Sequence, residues 1–206
     1  MEKIMLNTAQ KDGLQELANI GAGHASTALS QMINRDVKMG IPHVEVIPLA
    51  DAGKYLKNEQ IVVGIFLKIS DEIPSYVMML IPRDSAFSLS DLLLGTNTGT
   101  GERILSDMDM SALSEVANVM ICSFFDNVSA LLGMTVVPGP PHLAYDIPEA
   151  VLDYVLIQIG EVSDDIFLFN VDLKEEKEDN FEIHMFLLPE PDSVNILLER
   201  MGLKQG

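Results

Sequence analysis

Asp12-Gly-Leu-Gln-Glu16-Leu-Ala-Asn19 and Ser111-Ala-Leu-Ser-Glu115-Val-Ala-Asn118 carry one sparse pattern twice, at a constant offset of 99 residues. In each copy 22 residues separate the asparagine from a proline, Pro42 or Pro141. A histidine follows each proline (His43, His142), and a glycine stands two positions before it (Gly40, Gly139). Around the first copy, Leu14, Leu17, Ala18, Gly21, Ala25, Leu29 and Met32 form one apolar stripe at helical spacing, which predicts a helix over residues 8–33. Leu113, Val116, Ala117, Met120, Phe124, Val128 and Leu131 repeat the stripe 99 residues on. Gly21 and Gly23 each lower helicity by about 1 kcal/mol relative to alanine, so their place in mid-helix predicts close packing against another backbone, with the sister helix as the candidate.

Working outward, residues 37–48 and 135–147 read as strands after each helix. Residues 61–69 and 75–81 read as an antiparallel pair joined through 70–74, and 151–160, 165–173 and 181–188 as strands of the second half. The acidic run 174–180 reads as a hairpin turn kept in water. Residues 83–94 read as a helix with a counterpart over 192–201, started by Asp192 or Ser193 and closed by Gly202. The Gly/Thr-rich stretch 95–101 reads as the flexible link between the halves. The fold class is α+β: one domain over 1–206, built of two helix–strand repeats (about 1–98 and 99–206) with pseudo-twofold symmetry. Their strands merge into one extended, mainly antiparallel sheet packed by helices.

A hydrophobic content of 48% supplies a substantial core and excludes compositional disorder. The net charge of −18, from 31 acidic against 13 basic residues, repels phosphate backbones and anionic headgroups, so neither nucleic acid nor membrane is an expected partner. No unbroken apolar run reaches the roughly 18–20 residues of a bilayer span, and the first ten residues do not read as a signal peptide. The lone Cys122 excludes an intrachain disulfide, fits a reducing cytoplasm and reads as a buried small hydrophobe. His24, His43, His142 and His184 lack zinc-site spacing, so no bound zinc is expected. Gly21-Ala-Gly23-His-Ala-Ser26 resembles a dinucleotide-binding glycine motif but follows no strand and lies within a helix, where its amides cannot cradle a pyrophosphate.

Residues three and four apart on a helix differ by about 60° and 40° in direction, so Asp12, Glu16 and Asn19 project from one face, as do Ser111, Glu115 and Asn118. One isolated Glu/Asn pair would be ordinary solvation of a helix face. Here the pair is duplicated while its apolar neighbours have diverged, Leu17 against Val116 and Gly21 against Met120. A carboxylate can pair with a partner's cation, and a carboxamide, with one acceptor and two donor hydrogens, can hold and aim a water molecule. The two prolines read more simply as fixing entry to a strand.

The pattern [D/S]-x-x-x-E-x-x-N-x(22)-P, satisfied in full by both copies, resembles the signature of the CheC/CheX/FliY family of chemotaxis phosphatases. The resemblance extends from the first helix to the terminal segment and implies a hydrolase that removes phosphate from the aspartyl-phosphate of the response regulator CheY. By this resemblance Asn19 and Asn118 position the in-line water, Glu16 and Glu115 pair with a lysine of the regulator, and Asp12 and Ser111 support the site edge. It implies no cofactor in the chain itself, with Mg²⁺ carried by the phosphorylated regulator. It also implies a second partner, the receptor deamidase CheD. Two copies in one chain remove the need to dimerise, so a cytoplasmic monomer is expected. The rival reading is a non-catalytic adaptor that binds CheD or phosphorylated CheY.

Overall fold

The structure is a computed structural model and describes residues 6–48, 61–99, 101, 103–159, 165–175 and 181–203. In chain order its elements are α1 (Thr8–Ile33), β1 (Val37–Met39), β2 (His43–Pro48), β3 (Val62–Asp71), β4 (Ser75–Pro82), α2 (Arg83–Leu94), α3 (Asp107–Leu132), β5 (Val136–Pro138), β6 (His142–Asp146), α4 (Pro148–Ile159), β7 (Asp165–Glu175), β8 (Glu182–Pro189) and α5 (Pro191–Arg200). The two 26-residue helices α1 and α3 start and stop by the same chemistry. At α1 the Gln10 amide donates to Asn7 Oδ1 at 2.9 Å, and the Asn7 amide donates to Gln10 Oε1 at 3.0 Å. At α3 the Asp109 amide donates to Ser106 Oγ at 3.2 Å, and the Ser106 amide donates to Asp109 Oδ2 at 2.8 Å. Each reciprocal box satisfies backbone donors that the first turn leaves open, a stabilisation of about 1 kcal/mol per cap. Both helices end on a left-handed residue, Asn34 (φ 52) and Gly133 (φ 61).

The strands form one antiparallel sheet in the order β1-β7-β8-β4-β3-β5, with β2 extending β1's edge along β7 and β6 extending β5's edge along β3. Edge strands are exchanged between the halves: β1 and β2 pair with β7, whereas β5 and β6 pair with β3. At the centre β4 lies against β8, with Met78 opposite Phe186. Alternation along the strands sorts residues onto two faces. Val63, Ile65, Leu67, Ile69, Val77, Met79, Ile81, Ile183, Met185 and Leu187 join the main core with α1, α2, α3 and α5. Val62, Phe66, Met78, Leu80, Phe186 and Leu188 form a second cluster, closed by Val151 of α4. The mixed helix and antiparallel sheet expected from sequence is the fold observed.

On the main face α1 and α3 pack against each other. Gly21 makes the close approach possible, because a Cβ there would lie 2.6 Å from the Phe124 ring. The contact is with a side chain of the sister helix and not with its backbone. At Gly23, by contrast, a Cβ would meet no atom of the described residues within 4 Å, so among them it serves no packing role. By the last turn the inward position falls on Ile33 and Leu132, leaving Met32 and Leu131 exposed. Helix α3 is the one described helix long and apolar enough to cross a membrane by length and composition, and its apolar side is spent on α1, α2 and the core.

Several expectations are corrected. Residues 151–159 are helical as part of α4, and residue 160 lies outside the described residues. Short apolar runs fit either period, and the deciding signal was Pro148, whose fixed φ starts a helix, followed by Glu149 in the first turn. Residues 37–48 and 135–147 each form two strands, because Gly40-Ile41-Pro42 and Gly139-Pro140-Pro141 interrupt the ladder. There the Gly40 amide donates to Asp172 O and the Gly139 amide to Lys68 O, both at 2.8 Å. Helix α5 begins at Pro191 after Glu190, without a side-chain cap, so neither Asp192 nor Ser193 caps it. The Ser193 hydroxyl instead donates to Pro74 O at 2.6 Å. Gly202 follows the helix end at φ 72, as expected of a closing glycine. Of the acidic run, Lys174 and Glu175 extend β7, and residues 176–180 lie outside the described residues.

The link between the halves is tethered where it is described. The buried Asp91 carboxylate accepts from Thr96 Oγ1 (2.8 Å), from Thr98 N and Oγ1 (2.8 and 2.7 Å), from Gly99 N (3.1 Å) and from Arg103 Nη1 (2.9 Å). Arg103 Nη2 also donates to Asp109 Oδ1 at 2.6 Å, and the guanidinium lies 4.7 Å from the Phe87 ring. This knot joins α2 to the start of α3 and so sets where the second Glu/Asn face begins. Burial alone would raise the Asp91 pKa, but the hydrogen bonds from Thr98, Arg103 and Thr96 outweigh it and hold the carboxyl well below the usual carboxylate range. Asp109 is lowered in the same way: burial opposes the shift, and bonds from Ser90 and Ser106, with the Arg103 charge, override it.

Two predictions follow from this packing. Gly64→Val places a Cβ 2.2 Å from Val151 Cγ1 and should destabilise the fold by about 1–3 kcal/mol, measured by urea denaturation. Because the Asp91 pKa is depressed, its contribution is complete above the unfolded-state value of about 4 and is lost as pH falls toward the lower folded value. Asp91→Asn should therefore be less stable than wild type at pH 7, with the gap narrowing between about pH 5 and pH 2 in thermal melts.

Candidate functional site

Helices α1 and α3 bury one face against the core and turn the opposite face outward. On α1, Leu14, Leu17, Ala18, Ala22 and Ala25 are buried, while Asp12, Glu16 and Asn19 are exposed. On α3, Leu113, Val116, Ala117, Met120 and Ile121 are buried, Ser111 and Glu115 are exposed, and Asn118 is half-buried. Each predicted trio thus stands on the solvent side of its own helix. Among the described residues neither Glu16 nor Glu115 is held in an ion pair, so both carboxylates are available to a cation from outside.

The two rows differ at their ends. One turn before Ser111 the α3 row carries Met108, 65% exposed, where α1 has Ala9. One turn after Asn118 it carries Cys122, where α1 has Gly23. Cys122 is half-buried, not a core residue, and its thiol donates to Asn118 Oδ1 at 3.8 Å. Burial first, then the negative charges of Asp126 and Glu115, push the thiol pKa up, so the sulfur keeps its proton. Sequence reading missed this pairing, although the i, i+4 spacing of Asn118 and Cys122 on a known helix was enough to find it.

The prolines lie away from this row, in the breaks of the edge strands. Pro42 precedes His43, which opens β2 and contacts Glu45, and Pro141 precedes His142, which opens β6 and stacks on Phe66 at 5.7 Å. A residue without an N–H is well placed at such an interruption, so a strand-entry role fits both. Strand pairing brings together one group that sequence spacing hid. His184 Nδ1 lies 2.8 Å from Asp172 Oδ1, and Nε2 lies 3.6 Å from Glu182 Oε1. Their candidate ligand atoms lie within 4.8 Å of one another. Alternation with Val171, Leu173, Ile183 and Met185 puts this group on the α4 side of the sheet, opposite the Glu/Asn helices.

Known proteins resemble this chain in sequence and in fold. A family model described as the CheC-like family matches residues 10–46, the first Glu/Asn helix and its proline. The CheY-P phosphatase CheC of Bacillus subtilis (strain 168) is 26% identical over 196 residues, covering 94% of each chain. Thermotoga maritima FliY has the same fold, with a TM-score of 0.77, 22% identity, and coverage of 98% of this chain and 100% of that one. CheX from Borrelia burgdorferi, crystallised with CheY, BeF3 and Mg²⁺, is similar at a TM-score of 0.55 and 16% identity, over 85% of this chain and 96% of that one. The chain is thus similar to the CheC-like family in its first Glu/Asn helix, to a CheC over 94% of its length, and to a FliY in fold.

Proposed function

We propose that this protein is a CheY-phosphate phosphatase, hydrolysing the aspartyl-phosphate of a chemotaxis response regulator at two sites on one CheC-like domain of two repeats. The observation that carries the reading is the duplicated Glu/Asn pair on the outer faces of α1 and α3, free to meet a partner. The names of its relatives support it, as CheC of Bacillus subtilis is called a CheY-P phosphatase.

The chemistry asks little of the chain beyond placement. Phosphoryl transfer depends on in-line positioning and on charge stabilisation, and the regulator's own Mg²⁺ supplies the second. Glu16 or Glu115 pairs with a lysine of the regulator and sets the register of docking. Asn19 or Asn118 then holds a water in line with phosphorus, which removes an entropic barrier that free water would face. Asp12 and Ser111 stand one turn earlier on each row and support the site edge. The chain needs no cofactor of its own in this scheme. It acts in the cytoplasm as a monomer, with CheD as a second partner.

Turnover separates this reading from the adaptor reading. With regulator in large excess, sub-stoichiometric protein should clear many equivalents of phosphate, and an effect that stops at one equivalent per chain would favour the adaptor. Glu16→Lys combined with Glu115→Lys should raise KM for the phosphorylated regulator by about tenfold or more, since like charges then face each other across the contact.

A further inference from the structure

We propose that Cys122 is a positioning residue for Asn118, holding its carboxamide ready through a thiol hydrogen bond, and that the α1 site lacks this device. The inference rests on the phosphatase reading and deepens it at one of the two sites.

An asparagine that must aim a water has two side-chain torsions to fix before the partner arrives. On α3 the thiol of Cys122 donates to Asn118 Oδ1 from the next turn of the same helix face. That bond occupies one lone pair of Oδ1 and leaves the Nδ2 hydrogens and the second lone pair for water. The arrangement requires a protonated sulfur, and burial with the charges of Asp126 and Glu115 keeps it so. On α1 the equivalent position is Gly23, with no side chain to donate, and among the described residues Asn19 is exposed with no hydrogen-bond partner for its side chain. The two asparagines therefore differ in how far they are ordered in advance, although their local motifs match.

Rates are best read one site at a time. In an Asn19→Ala background, where only the α3 site works, Cys122→Val should lower kcat roughly two- to tenfold with KM unchanged, the loss expected when one ordered side chain is freed. Cys122→Ser, which restores a donor, should recover most of that loss. The converse test uses the open space at Gly23, where a Cβ meets no atom within 4 Å. In an Asn118→Ala background, Gly23→Cys should raise kcat of the α1 site, and Gly23→Ala, which strengthens the helix without a donor, should not. The inference falls if Cys122→Val keeps its kcat, if KM moves in place of kcat, or if Gly23→Ala gains as much as Gly23→Cys. Absence of turnover in the wild type would instead remove the phosphatase reading, and turnover in the wild type but in neither single-asparagine background would overturn the inference of separately working sites. Side-chain amide relaxation by NMR then decides the positioning claim separately: Asn118 should be more ordered than Asn19 and lose that order in Cys122→Val, and equal order in all three cases would overturn it.

Discussion

The contact between α1 and α3 is the constraint on which the rest depends. Each helix is 26 residues long and amphipathic, and neither can bury its apolar face alone. Gly21 lets the Phe124 ring close onto α1, and the pair then covers the main face of the sheet. Once that face is committed to the core, the rows lie on the far side, exposed at Glu16, Asn19 and Glu115 and half-buried at Asn118. The Glu/Asn row is thus presented twice as a consequence of how the two long helices share one sheet.

The strand exchange makes the two halves interdependent. Because β1 and β2 complete the edge at β7, and β5 and β6 complete the edge at β3, neither half of the chain has a finished sheet by itself. The Asp91–Arg103–Asp109 knot adds a polar join between the end of α2 and the first turn of α3. Together these features fix both Glu/Asn rows on one rigid base. That suits the proposed task of placing a water against a phosphoryl group held by another protein.

Much of this was legible in the sequence, because the signals were periodic or repeated. The apolar stripe gave α1 its observed bounds, and the offset of 99 residues carried the prediction to α3. Glu16, Asn19, Glu115 and Asn118 could be placed on outer faces from spacing alone. What escaped was set by tertiary context. The run after Pro148 fits either period, and its docking over Gly64 is a tertiary contact that no local pattern records. The link at 95–101 has the composition of a flexible loop, yet the buried Asp91 carboxylate near the end of α2 organises Thr96, Thr98 and Gly99. The pairing of Asp172 with His184 depends on strand register, which no local pattern records.

The central claim is that two carboxamides, one on each long helix, carry the reaction. Its most direct test is the decay of phosphate on the regulator in the presence of the Asn19→Ala/Asn118→Ala double variant, with folding verified by circular dichroism. The account predicts decay at the regulator's own spontaneous rate, a loss of about a hundredfold or more relative to wild type at equal concentration. A folded double variant that still accelerates decay as the wild type does would contradict it.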